Sequence, residues 1–169
     1  MRDVAKLLND MRATGVIAEY ALFGAVAQMR YTEAVATFDA DMLVTFTSTD
    51  RIDLLTPIYD FCKNRGYAAE GEAVKVGIWP VQFIPVFSQL TLEPLQEAET
   101  VDFDGVPLRV VRAEHPALIA LSVGRAKDYA RLLALLESAA VTRDQIASLA
   151  QRHEIHEAWM RFEKRFLHD

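Results

Sequence analysis

The chain has one cysteine in 169 residues, so no disulfide can staple the fold. That scarcity points to a reducing compartment and a cytoplasmic setting. Cys62 itself lies in "YDFCKNRG", late in a helical pattern, where a thiol packs as a small hydrophobe. Basic residues are also short: 18 Lys and Arg face 24 Asp and Glu, a net charge of −6. That balance excludes a broad basic face and disfavours a nucleic-acid partner. Apolar runs stay far below the roughly 18 residues of a membrane span, so no membrane association is expected. The start, "MRDVAKLLNDM", spaces charges through its apolar positions and lacks the apolar centre of a signal peptide. Histidine is sparse too. His153 and His156 are spaced i,i+3, but no third zinc ligand is near them in sequence.

What is present is a chain that is 51% hydrophobic and 25% charged, the balance of a folded domain. Residues 3–14 place Val4, Leu7, Leu8 and Met11 on one helical face, and Gly15 ends that helix. "VIAEYALF" predicts a strand over 16–23, closed by Gly24, with "AVAQMRYT" as a short helix. "DADMLVTF", 39–46, predicts a second strand whose apolar tail suits a central position. "STDRIDLLTPIYDFCKNRG" predicts a helix capped by Ser48 or Asp50, with Asp53 in its first turn. Two strands with a turn near Gly77 follow, then a loop and short helix through "SQLTLEPLQEA". "ETVDFDGVPLRVV" predicts a hairpin turning at Asp104-Gly105. From residue 113 the pattern is helical, with Pro116 in a first turn and Thr142 as a cap. The expectation is an α/β core over 1–112 and a helical segment over 113–169 packed on it.

The polar feature that stands out is "TFDAD". Residues i and i+2 of a strand share a face, so Asp39 and Asp41 project side by side, with Cβ atoms roughly 6–7 Å apart. Two such carboxylates repel unless a cation lies between them or one takes a proton. Mg²⁺ binds carboxylates together with phosphate oxygens, which makes D-x-D a sensible phosphoryl-transfer clamp. An acidic start to a strand would read the same way. Gly24 upstream adds weight, because backbone N–H groups at a strand–glycine–helix junction can receive a phosphate.

The order "LFGAVAQMRYTEAVATFDADMLV" resembles the nucleotidyltransferase superfamily, whose members carry hG[GS] and then [DE]h[DE]h. More narrowly it resembles minimal nucleotidyltransferase-like proteins related to the AbiEii-type (type IV) toxin family. "PVQFIPV", "VRAEHPALIALSVGRAKDYARLLALLE" and "LAQRHEIHEAWMRFEKRF" fit that group, and the resemblance spans about residues 17–165. It implies a nucleotidyltransferase-like mixed sheet with flanking helices and a C-terminal helical segment. It implies Mg²⁺ as cofactor, a nucleotide triphosphate as substrate, and a protein partner of the antitoxin kind. Gly24 and Ala25 would form the phosphate turn, and Asp39 and Asp41 the metal-binding pair. A third carboxylate would help bind a second metal and activate the acceptor hydroxyl.

Two departures stand out. Ala25 replaces the usual Gly or Ser of the turn. Gln82 occupies the position expected for the third carboxylate, where an amide is a poor base and a weak metal ligand. Asp102 and Asp104, on the next hairpin, are the candidate substitutes, with Glu70 and Glu72 behind them. Arg125 and Lys127, and more weakly Arg30, are the cations for a triphosphate. In the plain alternative Arg125 and Lys127 are a solvated helix start. Thr37 either hydrogen-bonds in the cleft or buries its methyl. Tyr20 and Tyr31 could border a nucleobase, whereas Trp159, Phe162 and Phe166 have the spacing of helix packing. The expected function is Mg²⁺-dependent transfer of a nucleoside monophosphate to an acceptor. The alternative is a catalytically impaired member of the fold that binds nucleotide or a protein.

Overall fold

A computed structural model describes residues 1–33, 39–47 and 53–167. Seven strands form one mixed sheet: β1 (Glu19–Phe23), β2 (Ala40–Thr45), β3 (Ala68–Glu70), β4 (Ala73–Val76), β5 (Trp79–Pro85), β6 (Glu99–Phe103) and β7 (Val106–Val110), in the order β3-β4-β5-β2-β1-β7-β6. β2 pairs with β5, and β1 with β7, in parallel; the remaining pairs are antiparallel. The helices are α1 (Arg2–Ala13), α2 (Gly24–Gln28), α3 (Thr56–Asn64), α4 (Gln89–Gln96), α5 (Glu114–Val123), α6 (Ala126–Glu137), α7 (Arg143–Arg152) and α8 (His156–Phe166). The chain is thus a mixed sheet flanked by helices, followed by a C-terminal helical segment. Among the described residues no helix is long and apolar enough to cross a membrane.

Two compact units divide the chain. The sheet unit holds residues 1–27 and continues to Val111. The helical unit holds the chain from Arg112 onward, together with Gln28 and the turn that follows it.

Within the sheet unit, strand alternation defines two faces. Tyr20, Leu22, Met42, Val44, Leu108 and Val110 share one, all buried. The amphipathic helix α1 covers this face with Val4, Leu7, Leu8 and Met11. Its Asn9 ties the layers together: the Tyr20 hydroxyl donates to Asn9 Oδ1 (2.7 Å), and Asn9 Nδ2 donates to the Pro107 carbonyl (2.7 Å). Ile58 and Cys62 of α3 join the same core. The other face carries Glu19, Phe23, Asp41, Leu43, Gln82 and Arg109. Helix α4 lies against β1 and β2 on this side. Arg109 fixes it, donating to the Leu95 carbonyl (2.9 Å) while pairing with Glu19.

Several boundaries differ from the sequence reading. β1 begins at Glu19, because Val16 and Ile17 still donate their N–H groups to the Met11 carbonyl at the end of α1. Helix α3 begins at Thr56. Asp53 precedes it and accepts the N–H groups of Leu55 (3.1 Å) and Thr56 (3.0 Å), while Pro57 sits in the first turn. The proposed caps Ser48 and Asp50 lie outside the described residues. "YAAEGEAVKVG" makes two strands, β3 and β4, joined at Gly71. The hairpin at Asp104-Gly105 forms as its residues suggest, with φ of 52° and 78°.

In the helical unit Gly124 ends α5 with φ 70°, and Thr142 caps α7 through a capping box with Gln145. Tyr129 packs against Phe162 and Phe166 (ring centroids 5.4 and 5.3 Å), and Trp159 stacks on Phe162. These aromatics form a packing cluster rather than a base-stacking surface.

Candidate functional site

The Asp pair lies at the start of β2, and the end of the adjacent strand β1 stands beside it. β1 ends at Phe23, which is in register with Asp41 of β2, so the next residue, Gly24, turns directly beside that aspartate. Gly24 has φ 68°, a conformation that favours glycine. A Cβ on Gly24 would overlap Oδ2 of Asp41 and stand 3.0 Å from its Cγ. The missing side chain is therefore what lets the turn approach the carboxylate. Ala25 follows with its small side chain buried, which leaves backbone as the polar surface of the turn.

Asp39 sits one residue before β2 and is half-buried, as is Asp41. The parallel pairing of β2 and β5 puts Gln82 in register with Asp41, on the same face and one strand away, about 4.8 Å. Gly24, Asp39, Asp41 and Gln82 are thus brought together. The combination of two adjacent carboxylates, a side-chain-free turn and a neutral amide suits one hard divalent cation carrying phosphate oxygens. A second cation would need a further anionic ligand, and Gln82 does not supply one.

Other candidates sit elsewhere. Asp102 is on edge strand β6, three strands from β2, or about 14 Å. Its Oδ1 accepts the Gly105 N–H (3.1 Å), so its carboxylate closes the hairpin. Asp104 occupies the turn itself. The hairpin therefore does not bring a third carboxylate to Asp39. Glu70 lies on exposed β3 and pairs with Lys75 (3.4 Å). Glu72 is in the β3–β4 turn, where its carbonyl accepts the Tyr59 hydroxyl (3.0 Å). Tyr20 is fully buried and bonded to Asn9, so it does not border a nucleobase; burial raises its pKa. Thr37 lies outside the described residues.

The proposed triphosphate cations belong to the helical unit. Arg125 donates to Asp128 through Nε (2.6 Å) and Nη2 (3.2 Å). Asp128 is buried, and the Arg125 hydrogen bond holds its carboxyl below the usual range. Lys127 is exposed in the first turn of α6. Arg30 lies in the turn after α2, with its guanidinium 5.5 Å from the Tyr31 ring centroid. The Arg125–Asp128 clasp was not anticipated, although the i,i+3 spacing of "RAKD" carries the signal. The tight contact between Gly24 and Asp41 was also missed, because it depends on β1–β2 register.

No family model matches the sequence, and no curated protein matches it. Comparison of structures does find likenesses. An antigenic nucleotidyltransferase-like protein from Paracoccidioides brasiliensis superposes with a TM-score of 0.55 at 12% identity, over 93% of this chain and 90% of that one. ANT(2")-Ia in complex with adenylyl-2"-tobramycin gives a TM-score of 0.45 at 11% identity, over 96% of this chain and 97% of that one. The first likeness is one of fold: the chain has a nucleotidyltransferase-like fold. It does not single out the AbiEii-type group.

Proposed function

We propose that the chain is a Mg²⁺-dependent nucleotidyltransferase whose phosphate and metal site is formed by Gly24, Asp39 and Asp41. The observation that carries this reading is the approach of Gly24 to Asp41, which a side chain at position 24 would block. Asp39 and Asp41 would hold the cation, which when bound neutralises the phosphates and polarises the phosphorus under attack. Gly24 and Ala25 offer backbone N–H groups to the phosphate chain. Attack of the acceptor at the α-phosphorus then expels pyrophosphate.

Gln82 supports a second reading, in which the protein binds nucleotide but transfers it poorly. An amide cannot take a proton from an acceptor hydroxyl. The toxin-type relationship and an antitoxin-like protein partner rest on motif order alone. A reducing, cytoplasmic setting belongs to the same reading and is supported by a single cysteine, buried in the core.

The test is a screen of the four nucleoside triphosphates with and without Mg²⁺. Equilibrium binding and pyrophosphate release are measured in parallel. Mg²⁺-dependent binding with release supports transfer. Binding without release favours the second reading. Absence of Mg²⁺-dependent binding for all four contradicts both.

A further inference from the structure

We infer that the acceptor is an already ionised oxygen, the phosphate of a phosphate monoester, rather than a hydroxyl. This rests on the nucleotidyl-transfer reading and names its second substrate. The face of β5 beside Asp41 presents Pro80, Gln82 and Ile84, and none of the three takes a proton at neutral pH. Gln82 instead offers an amide NH₂, a donor to an anionic oxygen.

The next strand adds charge of the right sign. Lys75 of β4 is in register with Pro80, so it shares the face of Gln82 and Asp41, and it is exposed. It stands two strands from β2, about 10 Å, and its flexible stem spans about 6 Å of that gap. Its partner is Glu70, with both side chains about half exposed (52% and 51%). An exposed pair of this kind is weak and yields to a dianion. Glu70 is itself a poor candidate for the missing base. It lies in the same row as Ala73, Gln82 and Asp41, but three strands from β2, about 14 Å.

The chemistry balances without a base. An oxygen of the acceptor phosphate forms a bond to the α-phosphorus. The bond from that phosphorus to the bridging oxygen breaks, and its electron pair leaves on pyrophosphate. No proton is removed, because a phosphate monoester is already largely dianionic at neutral pH, its second pKa being about 6. A hydroxyl acceptor would need the proton acceptor that position 82 lacks.

The test uses the whole chain, a non-hydrolysable nucleoside triphosphate and Mg²⁺, with inorganic phosphate as the acceptor probe in calorimetry. Phosphate is expected to bind the nucleotide complex. Gln82→Leu and Lys75→Ala should each weaken it, Lys75→Ala by about tenfold for the lost positive charge, with nucleotide affinity unchanged in Lys75→Ala. In transfer assays with labelled ATP, glucose 1-phosphate should accept label where glucose does not. Phosphate affinity unmoved by both variants, or label on glucose as readily as on glucose 1-phosphate, overturns the inference. So does nucleotide binding with no phosphate binding. Failure of the nucleotide itself to bind removes the underlying reading instead, and the two failures are distinguishable.

Discussion

At the residue scale, the site turns on the atom that Gly24 does not have. Alanine there must hold a backbone angle that L side chains rarely adopt, and its Cβ displaces the Asp41 carboxylate. Gly24→Ala should therefore cost about 1–3 kcal/mol in a denaturant titration and weaken Mg²⁺–nucleotide binding as well. A stability loss with full binding would separate the turn from the site. The Asp pair and Gly24 were legible from order and spacing, since i and i+2 on a strand must share a face. Their contact was not, because it needs the register of two strands separated by residues 24–39. The place of Asp102 in the sheet was not legible for the same reason. That residue follows the core closely in sequence, but its strand reaches the sheet only through β7, at the far edge.

At the element scale, the readable features were those fixed by local chemistry. The Asp104-Gly105 turn and the Thr142 cap depend on side chains within a few residues of each other. Thr142 accepts the Gln145 N–H (3.2 Å), and Gln145 Oε1 accepts the Thr142 N–H in return (2.8 Å). Thr142→Ala removes the first of these and should cost about 1 kcal/mol, read as a lowered unfolding midpoint with nucleotide affinity unaffected. The β3–β4 hairpin escaped notice because "YAAEGEAV" is rich in Ala and Glu, with little β-branching or aromatic character. Its pairing with β5 supplies what propensity did not. The start of α3 shifted because Asp53 caps Leu55 and Thr56 instead of lying inside the helix.

At the scale of the whole molecule, stability should form a dome in pH. Burial pushes the Cys62 thiol up to about 11 from its ordinary 9.0. Its contribution is complete below pH 9.0 and is lost as pH rises toward 11, since the unfolded chain ionises first. Tyr20, raised by burial, acts in the same direction. Asp128 acts oppositely: Arg125 lowers its pKa, so its contribution holds above the ordinary carboxylate range and fades as pH falls through the lowered value. Thermal midpoints should be flat near neutrality and fall on both sides. Cys62→Ala should blunt the alkaline fall, and an unchanged alkaline limb would remove Cys62 as its cause.

The sheet and the helical segment were predictable as fold classes from periodicity. Spacing and resemblance pointed to Asp39, Asp41, Gly24 and Gln82 as a candidate group, and strand register sets Gly24 and Gln82 beside Asp41. Calorimetry with a non-hydrolysable nucleoside triphosphate and Mg²⁺ decides whether that group is a metal–phosphate site. Wild-type protein should bind with a strict need for Mg²⁺, and Asp39→Asn should lose at least about tenfold in affinity with an unchanged unfolding midpoint. Equal affinity in the two proteins would contradict a metal site at Asp39.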